Sequence, residues 1–407
     1  MVDPSLLRSL GLSPFRERWP WRGPDLQTVR DTVRTAPLPP DRSRSLLIEV
    51  GGGDALLARL DLPAGCSSIQ AASGPRGGRA LVLVLPGLGG CSSSQGPRRL
   101  ALALQRAGFA TLRLNLRGAG EGRTLAGGSY AARCDSDLLP MLRRARRLAA
   151  ELGGGSALPL AAVGISLGGT MLLNALHQAP RAVESPWLDA LICLSSPLDL
   201  PACTLQFERP RNALYQRWLV SRLCQQVLAD RRGLTPRERA ALTGEARPRT
   251  IRGFDEAITA PRWGYPSAER YYTAASPLPA LRHWLEARPG VSAAPSASAA
   301  CHPPPTLLLH AADDPWVPAG PALELVRRLA LARQDTAGTG AVRPGFVADL
   351  VVLVTDRGGH CGFHAVGDDS LASWSDRLCA AWLERHFREG REGRLMVHAQ
   401  AAPPPRG

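Results

Sequence analysis

Short apolar runs alternate with helix-like segments along most of this 407-residue chain, and this rhythm constrains the fold more than any other feature. The strand-like runs lie at residues 80–85, 110–116, 158–164, 188–195, 305–311 and 348–355. Segments with helical spacing of apolar residues lie at 98–108, 137–152, 168–178, 321–333 and 370–387. Short apolar strands joined by helices form right-handed crossovers, which bury a parallel sheet on both faces. The sequence therefore predicts an α/β fold with a mostly parallel central sheet flanked by helices.

The alternation stops between residues 197 and 289, where longer helical patterns such as 212–232 occur without strands. We interpret this segment as a helical cap placed over the carboxyl ends of the strands. Composition predicts a Pro- and Arg-rich arm that wraps the core, a low-complexity loop and a disordered tail. The predicted parts are the arm 1–45, the core 46–196 and 304–390, the cap 197–289, the loop 290–303 and the tail 391–407.

One further strand-like segment, at residues 46–62, precedes the regular alternation. A Gly- and Ser-rich stretch at 66–78 separates it from the run at 80–85. Such a stretch suits a hairpin loop, so we expect the two segments to pair as neighbouring strands.

The charge of the chain is positive and is carried entirely by arginine. Lysine is absent, and 49 basic against 35 acidic residues give a formal net charge of +14. A GC-rich genome would replace Lys by Arg throughout, and the dispersed charge favours this explanation over a specific partner. Binding of phosphate groups is the alternative, because Arg neutralises phosphates. We expect no nucleic-acid partner. The positive charge is compatible with peripheral contact with an anionic membrane.

The nine cysteines are scattered and never form a Cys-x-x-Cys pair, so the sequence suggests neither a disulfide framework nor a zinc site. The first residues lack the long apolar region of a signal peptide. No apolar run approaches the length of about 18 residues that a membrane span requires. We therefore expect a cytoplasmic protein that needs no metal ion and no organic cofactor.

Residues 164–168 read Gly-Ile-Ser-Leu-Gly, a G-x-S-x-G pentapeptide between an apolar strand and a helix. A sharp turn from strand to helix lifts the Ser166 hydroxyl above the sheet, and the turn needs glycines because a Cβ would collide with neighbouring backbone. The start of the following helix offers free N–H groups to a developing oxyanion. Ser166 is therefore the candidate nucleophile. The alternative is a serine that only caps the helix.

A serine nucleophile needs a base and an acid that orients the base, and in this topology the order along the chain is Ser, then Asp or Glu, then His. Asp313 and Asp314 follow one predicted strand, and His360 follows the next. Both loops lie at the carboxyl ends of strands, where α/β sheets place their sites. The two aspartates compete for the orienting role, and His364 is the rival of His360. His310 ends an apolar strand and is expected to be a core histidine.

An oxyanion hole in such a site combines two backbone N–H groups. One belongs to the residue after the nucleophile, which is Leu167. The second comes from the loop after the first parallel strand, where residues 86–90 read Pro-Gly-Leu-Gly-Gly. Leu88 is our candidate for this donor. The alternative is an ordinary Gly-rich turn.

Several stretches of the chain together match one known family pattern. They lie at residues 21–28, 86–90, 115–121, 164–169, 214–218, 254–265, 269–276, 310–315 and 358–363. On these residues the chain resembles the α/β-hydrolase superfamily and, within it, the YheT-like branch of hydrolases and esterases. The resemblance implies an α/β-hydrolase fold with a helical cap insertion. It also implies Ser166 as nucleophile, His360 as base and Asp314 as acid, because the family's acid precedes a Val-Pro pair by two or three residues.

The resemblance further implies hydrolysis of carboxylic esters, with acylglycerols and phospholipids as substrates among relatives. We expect a serine hydrolase that forms an acyl-enzyme, either a short- or medium-chain carboxylesterase or an acylglycerol or phospholipid lipase, whose partner is a small ester or lipid. An acyltransferase or thioesterase would use the same triad, because the cap sets the acceptor. A non-catalytic protein that binds through its basic surface is a third hypothesis, although no triad position is missing.

Arg117 and the aromatic residues of the cap each have two interpretations. Arg117 follows a strand at the expected active-site edge, where it would bind an anionic headgroup or hold the N-terminal arm. The aromatic residues would line an acyl pocket or pack against the sheet domain. They are Tyr215, Trp218, Trp263, Tyr265, Tyr271 and Tyr272.

Overall fold

The computed structural model describes most of the chain. The described residues are 4–66, 78–154, 157–179, 187–286, 303–339, 349–369 and 371–400. The predicted loops 66–78 and 290–303 therefore fall almost wholly outside them.

One sheet of eight strands is formed by the described residues. The strands are β1 Arg44–Gly51, β2 Asp54–Asp61, β3 Leu81–Leu85, β4 Ala110–Leu114, β5 Leu160–Ile165, β6 Ala190–Leu194, β7 Thr306–Ala311 and β8 Leu350–Thr355. Their spatial order is β1-β2-β4-β3-β5-β6-β7-β8. β1 pairs with β2 and β2 with β4 in antiparallel fashion, and all other neighbours are parallel. The predicted α/β fold with a mostly parallel sheet is confirmed.

Helices cover both faces of this sheet and occupy the segment between β6 and β7. Those before β6 are α1 Pro4–Ser9, α2 Pro24–Val33, α3 Gln95–Arg106, α4 Asp135–Gly153 and α5 Leu167–Gln178. Those between β6 and β7 are α6 Leu200–Phe207, α7 Ala213–Leu228, α8 Pro236–Leu242, α9 Ile251–Phe254, α10 Ala260–Arg262, α11 Ala268–Ala275 and α12 Leu278–Glu286. The last two are α13 Gly320–Thr339 and α14 Trp374–Gln400. The described part of the predicted cap, 197–286, contains helices and no strand.

The apolar core lies on both faces of the sheet, which explains why the central strands are continuous apolar runs. Alternate residues of β3 belong to two different clusters. Leu81, Leu83 and Leu85 pack with residues of α4 and α5 on one face. Val82 and Val84 pack with residues of α3 and α14 on the other face. Because both faces are covered, the open positions for a site lie at the ends of the strands.

The pairing predicted for residues 46–62 and 80–85 is wrong. Residues 46–62 contain most of β1 and all of β2, which form a hairpin with each other. The turn between them is Gly51-Gly52-Gly53, and all three residues have positive φ values of 64° to 94° that only glycine adopts readily. β4 lies between β2 and β3, so the stretch 66–78 does not close a hairpin.

The two ends of the described chain are more structured than composition suggested. Leu7 in α1 is fully buried in the cluster shared by α3 and α14, so the arm packs on the core. The tail predicted to be disordered from residue 391 is helical as far as Gln400. Residues 391–400 contain one glycine and no proline, so nothing in them stops the helix. In the described ranges, no helix has the length and apolarity needed to cross a membrane.

Candidate active site

Ser166 lies on a sharp turn between β5 and α5, as its pentapeptide predicts. Its backbone has φ 53° and ψ −122°, a conformation that is rare outside glycine. Ser166 N donates a hydrogen bond to Leu194 O at 2.7 Å, which holds this strained turn against β6. A Cβ on Gly164 would lie 2.3 Å from Gly169 Cα, so the turn closes only with glycine at position 164. The turn places the Ser166 hydroxyl at the carboxyl end of the sheet.

Three side chains from three different loops are joined by hydrogen bonds at this edge. His360 Nε2 lies 2.9 Å from Ser166 Oγ, and His360 Nδ1 lies 2.9 Å from Asp314 Oδ2. The other carboxylate oxygen, Asp314 Oδ1, accepts hydrogen bonds from Trp316 N at 2.8 Å and Val317 N at 2.9 Å. Because an ionised carboxylate only accepts, Nδ1 carries the proton and Nε2 is free to accept from the serine hydroxyl. The geometry suits proton transfer from Ser166 to His360.

The residues that compete with these three have other partners. Asp313 Oδ1 accepts a hydrogen bond from Gly359 N at 3.0 Å, so this side chain holds the loop of His360 and does not reach its ring. His364 Nε2 lies 3.3 Å from Asp31 Oδ1. His310 is buried, with Nε2 3.1 Å from Val317 O, as expected for a core histidine. The structure brings together Ser166, Asp314 and His360 and leaves the two rivals, Asp313 and His364, outside the hydrogen-bonded chain.

The charges of the pair formed by Asp314 and His360 stabilise each other. Burial alone lowers the pKa of His360, but the adjacent Asp314 carboxylate raises it, and the net pKa lies well above the usual value of 6.5. Burial alone raises the pKa of Asp314, but His360 and His310 bring it below its usual value. Asp314 is therefore ionised throughout the neutral range. The imidazolium form of His360 is favoured, which is the form that arises when it accepts a proton.

These pKa shifts predict a specific pH dependence for any reaction in which His360 acts as base. The base must be neutral, so activity falls as the pH drops through the raised pKa of His360. The acidic limb of kcat/KM for a soluble ester should therefore have its midpoint above pH 6.5. Steady-state kinetics across the neutral and alkaline range measure this midpoint. A midpoint of the acidic limb at or below pH 6.5 would show that Asp314 does not stabilise the imidazolium.

The predicted oxyanion donors lie beside the nucleophile. Leu88 and Leu167 both line the cavity that contains Ser166. The loop 86–90 contacts the serine closely, since a Cβ on Gly87 would lie 3.0 Å from Ser166 Cβ. Gly89 N donates a hydrogen bond to Tyr130 Oη at 2.7 Å, which fixes the loop next to Leu88. Local sequence pattern does not indicate this role for Tyr130, because the contact joins residues 41 positions apart.

The N-terminal arm contacts the histidine loop, which the sequence alone did not predict. Thr28 Oγ1 accepts a hydrogen bond from His360 N at 2.8 Å. The Gln27 side chain donates to His364 O at 3.0 Å and accepts from His364 N at 2.8 Å. A Cβ on Gly359 would lie 2.4 Å from Pro24 O, so the helix α2 and the loop are in direct contact. Residues 21–28, one of the stretches that resemble the family pattern, thus lie against the histidine loop.

A cavity of about 300 Å³ opens at Ser166 and His360 between the sheet edge and the helices of 197–286. Its walls are largely apolar. They include Leu88, Leu167, Leu194, Leu200, Phe207, Leu219, Leu223, Val227, Ile251, Phe254 and Val317. Tyr271 and Tyr272 line the cavity and also pack in a buried cluster. Trp218 does neither, because its side chain is exposed.

Three acidic residues line this cavity, Asp31, Asp255 and Asp376, and Asp255 lies in the part of the wall formed by residues 197–286. Asp255 occurs at the start of the π-helical turn Asp255–Thr259 and accepts a hydrogen bond from Tyr272 Oη at 2.8 Å. Burial raises the pKa of Asp255 to about 6.

Arg117 has neither of the two roles considered for it. Its guanidinium forms ion pairs with Asp137 at 2.6 Å and with Asp54 at 2.5 Å, and donates to Gly127 O at 2.8 Å. These partners belong to β2, α4 and the loop before α4, and none belongs to the N-terminal arm. Arg117 therefore holds core elements together.

The sheet, the strained serine turn and the hydrogen-bonded Ser, His and Asp side chains define an α/β hydrolase. Residues 80–337, more than half of the chain, match the alpha/beta hydrolase fold family, and the chain belongs to this family. The chain is 35% identical over 162 residues to the putative esterase YheT of Escherichia coli (strain K12), which covers 39% of this chain and 41% of the relative. The chain thus spans about two fifths of the length of that relative.

Two eukaryotic relatives are also similar to the chain. It is 23% identical over 375 residues to human phospholipase ABHD3, covering 92% of this chain and 79% of the relative. It is 30% identical over 223 residues to medium-chain fatty acid ethyl ester synthase/esterase 2 of Saccharomyces cerevisiae, covering 49% and 47% respectively. The similarity to YheT and ABHD3 supports the YheT-like branch of the family.

Proposed function

We propose that this protein is a serine hydrolase of carboxylic esters with Ser166 as nucleophile, His360 as base and Asp314 as orienting acid. The observation that carries the proposal is the unbroken hydrogen-bonded chain from Ser166 Oγ through His360 to Asp314 at the end of an apolar cavity. A nucleophile activated in this way attacks carbonyl carbon. The family match and the esterase and phospholipase names of its relatives support the same reaction class.

The reaction has two halves that use the same groups in opposite order. Ser166 Oγ attacks the ester carbonyl while its proton passes to His360 Nε2, and the backbone N–H groups of Leu88 and Leu167 stabilise the oxyanion. His360 then protonates the leaving alcohol, and an acyl-enzyme remains on Ser166. Water enters, gives a proton to His360 and attacks the acyl carbonyl, which releases the acid and restores the serine.

The cavity supports an ester with a short or medium acyl chain. Its volume of about 300 Å³ is at the small end of the range of ligand pockets, roughly 300–1,000 Å³. The apolar side chains of α7 and α9 would cover the acyl chain, and burial of the chain would favour binding.

Free thiols at the eight cysteines in the described ranges support a reducing compartment such as the cytoplasm.

A panel of p-nitrophenyl esters of increasing acyl length tests this proposal. We expect kcat/KM to rise by about fivefold for each two added methylenes, in line with about 0.8 kcal/mol for each buried CH₂, less the cost of ordering the chain. It should then fall once the acyl chain exceeds the cavity. Activity that does not vary with chain length would contradict the acyl role of the cavity, and absence of hydrolysis across the panel would contradict the ester hydrolase proposal itself.

Transfer of the acyl group to an alcohol is a second candidate outcome. It is favoured by the similarity to the yeast protein named as both a synthase and an esterase. The same panel run with added ethanol separates the two, because transfer yields ethyl ester at the expense of free acid.

A further inference from the structure

The helix α7 has two faces with different surroundings. Its inner face contributes Leu219, Leu223 and Val227 to the wall of the active-site cavity. Its outer face contains Leu214, whose surface is 79% exposed, and Trp218, whose surface is 44% exposed. These two residues are four positions apart and therefore adjoin on the outer face. A large apolar pair on the outer face of the same helix has no role in the core.

The charged residues of α7 itself are all basic. Arg217 and Arg222 in α7 are exposed, and α7 contains no acidic residue. The Arg222 guanidinium lies over the Trp218 ring, 5.2 Å from its centroid. The outer face of α7 is thus an apolar pair flanked by arginines, a pattern typical of helices that lie on anionic membrane surfaces.

The helix α2 extends this surface. Asp25 accepts hydrogen bonds from Arg211 Nη2 at 3.0 Å and from Tyr215 Oη at 3.0 Å, which fixes the start of α2 against the start of α7. The neighbouring Leu26 is 44% exposed. We call the exposed set Leu26, Leu214, Arg217, Trp218 and Arg222 the α7 surface.

We propose that the α7 surface docks on an anionic lipid surface, with Leu214 and Trp218 inserted among the lipids and Arg217 and Arg222 beside their phosphates. Tryptophan and leucine gain free energy at the boundary between headgroups and acyl chains. Each arginine near an anionic leaflet adds electrostatic attraction to it. The two contributions come from adjacent side chains on one helix, so the surface fits a lipid layer better than it fits a purely polar polyanion.

Tyr215, which follows Leu214 of the α7 surface in the chain, links that surface to the catalytic groups. The Tyr215 ring lies 5.3 Å from the Trp316 ring, and the Trp316 ring lies 4.6 Å from the His360 ring. Docking would therefore bring lipid esters next to the cavity whose wall the same helix forms. This step rests on the proposed function, because a docked ester is a substrate only if Ser166 is a nucleophile.

Vesicle sedimentation tests the docking proposal. The full chain is mixed with vesicles of equal parts phosphatidylglycerol and phosphatidylcholine, and with vesicles of phosphatidylcholine alone. The double variant Leu214→Ser/Trp218→Ser is compared with Leu331→Ser/Val366→Ser, which replaces two apolar residues exposed by 63% and 67% elsewhere. Both variants keep the net charge. We expect the first to bind the anionic vesicles about tenfold more weakly than wild type and the second to bind within about twofold.

The variant Arg217→Gln/Arg222→Gln should also bind the anionic vesicles about tenfold more weakly than wild type. Wild type should bind the anionic vesicles more tightly than those of phosphatidylcholine alone. Equal binding of wild type and Leu214→Ser/Trp218→Ser to the anionic vesicles would overturn the proposal. Any attraction would then come from net charge alone, and the protein would bind another polyanion such as single-stranded RNA equally well. Hydrolysis of soluble p-nitrophenyl butyrate, measured on the same samples, reports the proposed function separately. Ser166→Ala should bind vesicles as wild type does, so failure of docking and failure of catalysis are distinguishable.

Discussion

Replacement of Ser166 by alanine is expected to lower kcat for a soluble p-nitrophenyl ester by about 10⁴- to 10⁶-fold. The substitution removes the one oxygen that lies 2.9 Å from His360 Nε2 and leaves the base with no proton to accept. The oxyanion donors and the cavity remain, so a small residual rate over water should persist. Steady-state kinetics measure the loss, and mass spectrometry after treatment with a fluorophosphonate identifies the labelled residue.

A matched serine separates loss of the nucleophile from a general effect of substitution. Ser93 is exposed, and its hydroxyl donates to Glu121 Oε1 at 3.1 Å on the surface near the start of α3. Ser93→Ala should keep both kcat and fluorophosphonate labelling. The thermal midpoint of Ser166→Ala should stay close to that of wild type, because its backbone and packing do not change. Labelling of another residue in wild type, or full activity in Ser166→Ala, would refute the assignment of the nucleophile.

Substitution of Asp314 by asparagine is expected to lower kcat by about 10⁴-fold. The amide would no longer hold the proton on His360 Nδ1 or stabilise the imidazolium that forms during attack. The adjacent substitution Asp313→Asn provides the control, because Asp313 accepts from Gly359 N at 3.0 Å and does not touch the imidazole ring. We expect Asp313→Asn to lower kcat by no more than about tenfold. The kinetics of both variants at one pH measure the difference.

The pH profiles of these variants add a second readout. Asp314→Asn removes the charge that raises the pKa of His360, so the acidic limb of its residual activity should shift to lower pH than that of wild type. Asp313→Asn should leave the limb in place. A larger loss in Asp313→Asn than in Asp314→Asn would exchange the roles of the two aspartates.

The sequence predicted the parts of the fold that depend on local pattern. The spacing of apolar residues predicted the positions of strands and helices. The glycines at 164, 168 and 169 indicated the tight serine turn, in which a Cβ at any of these positions would collide with neighbouring atoms. The pairing of 46–62 with 80–85 was wrong because strand order depends on which neighbours bury the most surface. The same limit applies to Arg117, whose aspartate partners lie 20 and 63 residues away.

By itself, the sequence determined the α/β class and the candidate residues Ser166 and His360, because strand rhythm and turn chemistry act over a few residues. Only the tertiary structure distinguished Asp314 from Asp313 by contact, because adjacent residues on one turn point in different directions. It also placed Thr28 against His360 N, across 332 residues of chain. Contacts of this kind form when separate elements pack together, and local pattern does not encode which surfaces will meet.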